Sequence, residues 1–83
     1  MSWVHRPTWE DSGDLDRQVW RDGRNIGRVM YISHGLREGQ WKWCGQWRGH
    51  DNQGRAASFE LALEAIREAF LNVEAHDPDR LRL

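Results

Sequence analysis

Residues 40–48, which read QWKWCGQWR, alternate between two kinds of side chain. The first kind is Trp or Gly and the second is polar or small. This period of two is typical of a β-strand with one buried and one solvated face. We therefore predict a strand over 40–48 whose indoles, Trp41, Trp43 and Trp47, form a wall of the core.

The period changes to that of a helix after Ser58. Apolar residues recur at helical spacing on one side of this segment, at Phe59, Ala62, Leu63, Ile66, Ala69, Phe70 and Val73. Such a stripe predicts an amphipathic helix. Ser58 is a favourable N-cap, and the helix should end near His76 because Pro78 disfavours helical geometry at the preceding residue. The indole wall and this stripe are expected to pack on each other.

Two further strands, over 15–21 and 24–33, flank Asp22-Gly23. Asp-Gly between β-rich runs predicts a hairpin with a type I′ turn, in which both central residues have positive φ. In the second of these strands either side can face the core. Burial of an unpaired Arg28 is costly, so we place Val29 and Tyr31 inward, and a bulge would alter this phase.

These elements predict an α+β fold, β-β-β-α, in which a three-stranded antiparallel sheet packs on one C-terminal helix. We expect a single domain over 1–83 with its core at about 15–76. Residues 1–14 are expected to be partly irregular, 49–55 a polar loop, and 77–83 a frayed tail.

Composition narrows the classes of protein. The chain has 83 residues, six tryptophans, one cysteine and a net charge of −1. That length suits one small domain, and a lone cysteine excludes an internal disulfide and cysteine-rich zinc sites. No apolar run is long enough to span a membrane, and the N-terminus lacks a secretory pattern, so we expect a cytoplasmic, tryptophan-rich protein.

Several of these segments resemble a known outline. Asp22-Gly23, Ile26-Gly27-Arg28-Val29, Trp41-Lys42-Trp43, Gly54-Arg55-Ala56 and residues 58–62 are similar to a group of short bacterial proteins without an established activity. Their outline is "dG..iGRi…W.W…G.a.s.eeA". The order of elements also resembles, at the level of fold, the ethylene-response-type DNA-binding domain of plants and the arm-binding domain of phage integrases. Those domains place a three-stranded sheet in the DNA major groove.

Charge is segregated along the chain, with acidic ends and a basic middle over 17–55. We expect the solvated face of the sheet to collect cations from this middle part. The candidate binding face comprises Arg28, Lys42 and Arg48, together with Arg17 and Arg21 if the strand over 15–21 presents that side. A basic surface beside an aromatic residue suits phosphate contacts and base stacking, although the sequence pI of about 6.4 is not that of a typical nucleic-acid-binding domain.

Trp3, Trp9 and Trp20 have no place in the predicted core. Trp and Arg are enriched at the energetic centres of protein interfaces, so these three are candidate partner contacts. The other interpretation is that they fold back over the open end of the core.

No catalytic or metal-binding pattern stands out. Cys44 falls on the polar side of its strand without a local nucleophile signature, and the four histidines lack metal-ligand spacing. We expect no cofactor and no enzymatic activity. The predicted function is a small non-catalytic protein-interaction module, with a second copy of the chain among its candidate partners. The alternative is a nucleic-acid-binding module that uses the basic face of the sheet.

Overall fold

The computed structural model describes residues 3–11 and 13–81, which form one antiparallel sheet and a C-terminal helix. The sheet has five strands in the order of the chain, and the prediction of three strands was therefore wrong. The elements are β1 (Trp3–Pro7), β2 (Asp16–Arg21), β3 (Arg24–Tyr31), β4 (Trp41–Gly45), β5 (Gln53–Ala56), α1 (Phe59–His76) and the short 3-10 helix η1 (Pro78–Leu81).

The two additional strands lie at the edges of the sheet. β1 falls within the segment expected to be partly irregular and pairs with β2. β5 falls largely within the predicted polar loop and pairs with β4. Residues 1, 2 and 12 of the predicted irregular segment lie outside the described residues. Both edge strands gain their regular structure from a neighbour rather than from a strong pattern of their own.

The hairpin between β2 and β3 has the predicted turn. Asp22 and Gly23 both have positive φ, 50° and 84°. The register then shifts, so that Val19 pairs with Gly27 and Trp20 with Asn25. This bulge leaves Ile26 as the extra residue, and it allows both Ile26 and Val29 to be buried. Tyr31, predicted to point inward, lies at the rim, where it is 36% exposed and contacts Trp41.

Helix α1 packs over β3, β4 and β5. Its N-cap is the predicted Ser58, whose hydroxyl accepts a hydrogen bond from the Leu61 N–H at 3.2 Å. The indoles meet the helix edge to face, with ring centroids 5.3 Å apart for Trp41 and Phe59 and 6.1 Å apart for Trp47 and Phe70. The prediction that the indole wall packs on the helix stripe is confirmed.

The strand that bears these indoles is shorter than the predicted 40–48, because β4 ends at Gly45. Trp47 nevertheless reaches the core, since the chain turns and lays its ring over Gly45, where a Cβ atom would collide with it. Trp43 packs in the same way over Gly54 in β5, whose Cβ would lie 2.6 Å from the indole nitrogen. Each of these two glycines makes room for a tryptophan ring.

Residues 78–81, within the segment predicted to be a frayed tail, form the 3-10 helix η1. Leu81 is buried against the core, and its carbonyl accepts a hydrogen bond from Arg24. Arg80 bonds to Asp51 and to the Arg48 carbonyl, which fastens η1 to the β4–β5 loop. Residues 82 and 83 lie outside the described residues.

Replacement of Trp43 by alanine tests the indole wall. Trp43 is 9% exposed, and its loss leaves a large cavity between sheet and helix. We expect Trp43→Ala to lower the free energy of unfolding by about 3–5 kcal/mol. Trp9→Ala, at a residue 58% exposed, is the matched control and should cost less than about 1 kcal/mol. Urea unfolding of both variants measures the difference, and equal losses would contradict the assignment of Trp43 to the core.

Candidate interaction surface

The two faces of the sheet differ in what lies against them. The inner face packs on α1, whereas no helix lies over the other face in the part of the chain that the structure describes. We call this second face the outer face. Strand register assigns to it Val4, Arg6, Asp16, Gln18, Trp20, Arg28, Met30, Lys42, Cys44, Gln53 and Arg55.

Four cations on the outer face form a band across the sheet, defined by Arg6, Arg28, Lys42 and Arg55. Register puts Arg6 and Arg28 in one cross-strand row, on either side of Gln18. Lys42 and Arg55 are directly paired in the next row. Because adjacent strands lie about 4.8 Å apart, the band extends for about 20 Å from β1 to β5.

Two of these arginines stack on tryptophans. The guanidinium carbon of Arg6 lies 4.3 Å from the ring centroid of Trp20. That of Arg28 lies 5.0 Å from Trp9, which the β1–β2 loop brings onto the outer face. Arg28 also forms two hydrogen bonds to Asp16, at 2.5 and 3.2 Å. These contacts hold the guanidinium groups in position, which lowers the entropy lost when a partner binds.

The five cations of the predicted binding face are not all on it. Arg28 and Lys42 lie on the outer face, whereas Arg17 and Arg21 point to the inner face. Arg48 lies beyond the end of β4 and donates to the Asp79 carbonyl of η1 at 3.3 Å. Strand β2, which corresponds to the predicted strand over 15–21, therefore turns Arg17 and Arg21 to the face opposite to the one that the predicted binding face required.

Arg21 is held between the sheet and the helix. It is 7% exposed, its guanidinium carbon lies 4.8 Å from the Trp3 ring, and it is 3.6 Å from the Glu74 carboxylate. Arg17 donates to the His5 ring nitrogen at 2.8 Å and to Asp14 at 3.0 Å. Paired arginines are tolerated inside a small domain where an unpaired one would be costly.

Arg6 and Arg55 were missed because the strands that carry them were not predicted. A five-residue run with Trp and Val at its start was the local signal for β1. β5 contains Gly54 and no β-branched residue, so its sequence carries no such signal.

The three candidate partner contacts divide between two roles. Trp3, the first residue of β1, packs edge to face on Phe70 of α1, with ring centroids 6.1 Å apart, and so covers one side of the core. Trp9 and Trp20 lie at the outer face under their arginines, as described above. Trp9 is the more accessible, at 58% exposure.

The free edges of the sheet also differ. The Thr8 N–H bonds to the Asp16 carbonyl, and the alternation of an antiparallel ladder then directs the main-chain groups of Trp3, His5 and Pro7 outward. Pro7 has no N–H, and the His5 carbonyl accepts from Arg17 at 3.3 Å, so this edge offers little to another strand. On β5 the same alternation leaves Gln53 and Arg55 with outward main-chain groups.

Catalytic and metal-binding groups do not converge on the outer face. Cys44 lies there between Arg28 and Gln53 in a cross-strand row, and His5 lies on the inner face. Within residues 3–11 and 13–81 there is no cluster of three His, Cys, Asp or Glu side chains that would hold a metal ion. No helix in those ranges is long and apolar enough to cross a membrane.

Comparison of the chain with models of protein families, with curated proteins and with solved structures gives no match in any of the three. The resemblance to the outline of short bacterial proteins stays a prediction, and the argument for function rests on the geometry of the outer face.

His5 makes the stability of the fold depend on pH. Burial, followed by the nearby charges of Arg17 and Arg67, lowers the pKa of His5 below its usual 6.5. The neutral ring accepts the Arg17 hydrogen bond and packs edge to face on Phe59. The folded state therefore binds less proton than the unfolded chain below about pH 6.5, and stability should fall as the pH drops through this range.

Unfolding in urea at pH 7.5 and at pH 5.5 measures this dependence. We expect the wild-type chain to lose more stability over this interval than His5→Gln, which cannot take up the proton. The other histidines are present in both proteins, so their contribution cancels in this comparison. Equal losses in the two proteins would exclude His5 as the source.

Proposed function

We propose that this protein is a small non-catalytic interaction module whose outer face binds an acidic segment of another protein. The observation that carries the proposal is the exposed sheet face with its band of four cations, two of them stacked on tryptophans. Trp, Arg and Met are enriched in protein interfaces and Lys is depleted, and the outer face has three arginines and Met30 against one lysine.

The distribution of charge supports an acidic partner. The five described strands contain a single acidic residue, Asp16, which lies on the outer face and is already bonded to Arg28. The exposed side of α1 carries Glu60, Glu64, Glu68 and Glu74, so an acidic partner is repelled from the helix and attracted to the opposite side. Complementary charge of this kind favours one docking orientation over others.

Self-association is part of the same proposal. The outward main-chain groups of Gln53 and Arg55 leave β5 able to pair with the β5 strand of a second copy. With one free cysteine and no disulfide to form, we also keep the expectation of a cytoplasmic module.

Nucleic-acid binding is the second candidate. This candidate is supported by the cation band, which crosses the sheet in one direction and could follow a phosphate backbone. Trp20 lies beside the band. If all four cations contact a single strand, the logarithm of affinity should fall with the logarithm of salt concentration with a slope of about −3. The chain's net charge of −1 weakens long-range attraction to such a ligand.

Binding of three labelled probes discriminates between these functions. The probes are a synthetic peptide rich in Asp and Glu, an oligothymidylate and a short DNA duplex, each titrated with the full chain at low and at physiological salt. We expect the acidic peptide to bind and to quench the fluorescence of Trp9 and Trp20. Arg55→Gln should weaken the affinity for the acidic peptide about fivefold or more. A triple variant, in which Arg6, Lys42 and Arg55 are all replaced by Gln, should weaken it further.

Arg37→Gln is the matched control, because Arg37 is an exposed arginine of the β3–β4 loop, outside the strands that form the outer face. It should change affinity less than about twofold, as expected for a charge outside the contact. Binding of the oligonucleotide probes with the steep salt dependence given above, and no binding of the peptide, would replace the proposal by its alternative. Absence of binding to all three probes at low salt would refute both.

A further inference from the structure

A groove runs beside α1 on the side opposite to β5. It has a volume of about 610 Å³ and lies between Trp3 of β1 and the flank of the helix. Its walls are mostly apolar and include Trp3, Leu63 and Leu71, of which Leu71 is 39% exposed. This surface is distinct from the outer face and from the function proposed for that face.

The width of the sheet explains why the groove exists. Five strands at about 4.8 Å extend over about 24 Å, whereas one helix with its side chains is about 10 Å wide. Helix α1 packs over β3, β4 and β5. Above β1 and β2 there is no second helix in the described residues, and long side chains such as Trp3 and Arg21 fill the space only in part.

The rim of the groove is acidic. Glu60, Glu64 and Glu68 all line it and follow one another at a spacing of four residues, so they form a ridge along the exposed side of the helix. A ridge of this kind extends for about 12 Å. Lys or Arg side chains at the same spacing on a partner would complement it.

Arg67 crosses the floor of the groove and contacts Trp3. Its guanidinium carbon lies 5.3 Å from the Trp3 ring, within the groove. Its Nε atom is buried, and no hydrogen-bond acceptor lies within reach of it among the described residues. Arg67 is the one cation among the residues that line this groove, and three carboxylates line it as well, so the lining keeps a net negative charge.

We infer that the groove binds an amphipathic helix of another protein, with an apolar stripe bordered by Lys or Arg. Such a helix would lie alongside α1, cover β1 and β2, and place its apolar residues on Trp3, Leu63 and Leu71. This is the helix-in-groove mode of recognition, with the second helix of the layer supplied by a partner. The α1 helix of a second copy is a poor occupant, because its exposed side is acidic and would meet the Glu60–Glu68 ridge with like charge.

The probe for this inference is a labelled synthetic peptide of Leu and Lys at helical spacing, compared with a peptide in which Glu replaces every Lys. Fluorescence anisotropy with the full chain measures both affinities. We expect the Lys peptide to bind and the Glu peptide to bind at least about tenfold more weakly. Leu71→Gln and Glu64→Lys should each weaken binding of the Lys peptide by about tenfold.

Two matched variants control for nonspecific attraction. Leu61→Gln removes an exposed leucine of α1, 53% accessible, that does not line the groove, and Glu38→Lys reverses a charge in the β3–β4 loop. Each should change affinity less than about twofold. Two results would overturn the inference. One is that Glu38→Lys weakens binding of the Lys peptide as much as Glu64→Lys does, and the other is that the Lys peptide does not bind at all.

Two further outcomes would also be decisive. A dimer in analytical ultracentrifugation that Leu71→Gln abolishes would show that a second copy covers the groove, which contradicts the occupant proposed here. The triple outer-face variant, with Arg6, Lys42 and Arg55 replaced by Gln, should bind the Lys peptide as the wild-type chain does. A loss of binding in that variant would place the peptide on the outer face and overturn the groove as its site.

Discussion

The contact between the indoles after residue 40 and the apolar side of α1 is the interaction on which the rest of this fold depends. The chain has few large aliphatic residues, and Trp43, Trp47, Ile66 and Phe70 provide much of its buried volume. Rings of this size pack next to backbone only where no Cβ intervenes. Gly45 under Trp47 and Gly54 under Trp43 meet this requirement, and both lie in the sheet beside the rings they accommodate. The edge strand β5 is thus part of the core because its glycine receives an indole from β4.

Gly27 illustrates the same constraint in the neighbouring strand β3. It follows the bulge at Ile26 and has a φ of 151°. A Cβ atom there would lie 2.8 Å from the Ile66 side chain of α1 and would collide with the Cys44 carbonyl. The helix therefore approaches the sheet at a point where two strands carry glycine in register, Gly27 beside Gly45. This close approach lets an 18-residue helix and a short sheet exclude water without a larger aliphatic core.

The elements that sequence reasoning predicted are those with local signals. The Asp22-Gly23 turn, the alternation around Trp43 and the stripe after Ser58 each require a particular geometry from a few adjacent residues.

β5 was taken for a loop because its regular structure comes from its ladder with β4. For the candidate site the consequence was direct, since two of the four cations of the band, Arg6 and Arg55, lie on unpredicted strands. Arg17 and Arg21 were assigned to the binding face on the assumption that the strand over 15–21 presents that side, whereas it turns them inward, where Asp14, Glu74 and Trp3 offset the cost of burying them.

The net charge of −1 conceals a strong separation of charge across the molecule. Along the chain the separation follows segments, with a basic middle and acidic ends, but in three dimensions it follows layers. The β1 strand joins the basic layer although it belongs to an acidic segment, because pairing with β2 puts Arg6 in the same row as Arg28. The helix keeps its carboxylates on the far side of the same domain, about one sheet and one helix diameter away. These two surfaces of opposite charge are able to select different partners. A thin core separates them, and salt screens charges from each other beyond a Debye length of about 8–10 Å. The outer face is uncovered because no second layer packs on it in the described residues, and the groove beside α1 is uncovered because a single helix is narrower than five strands.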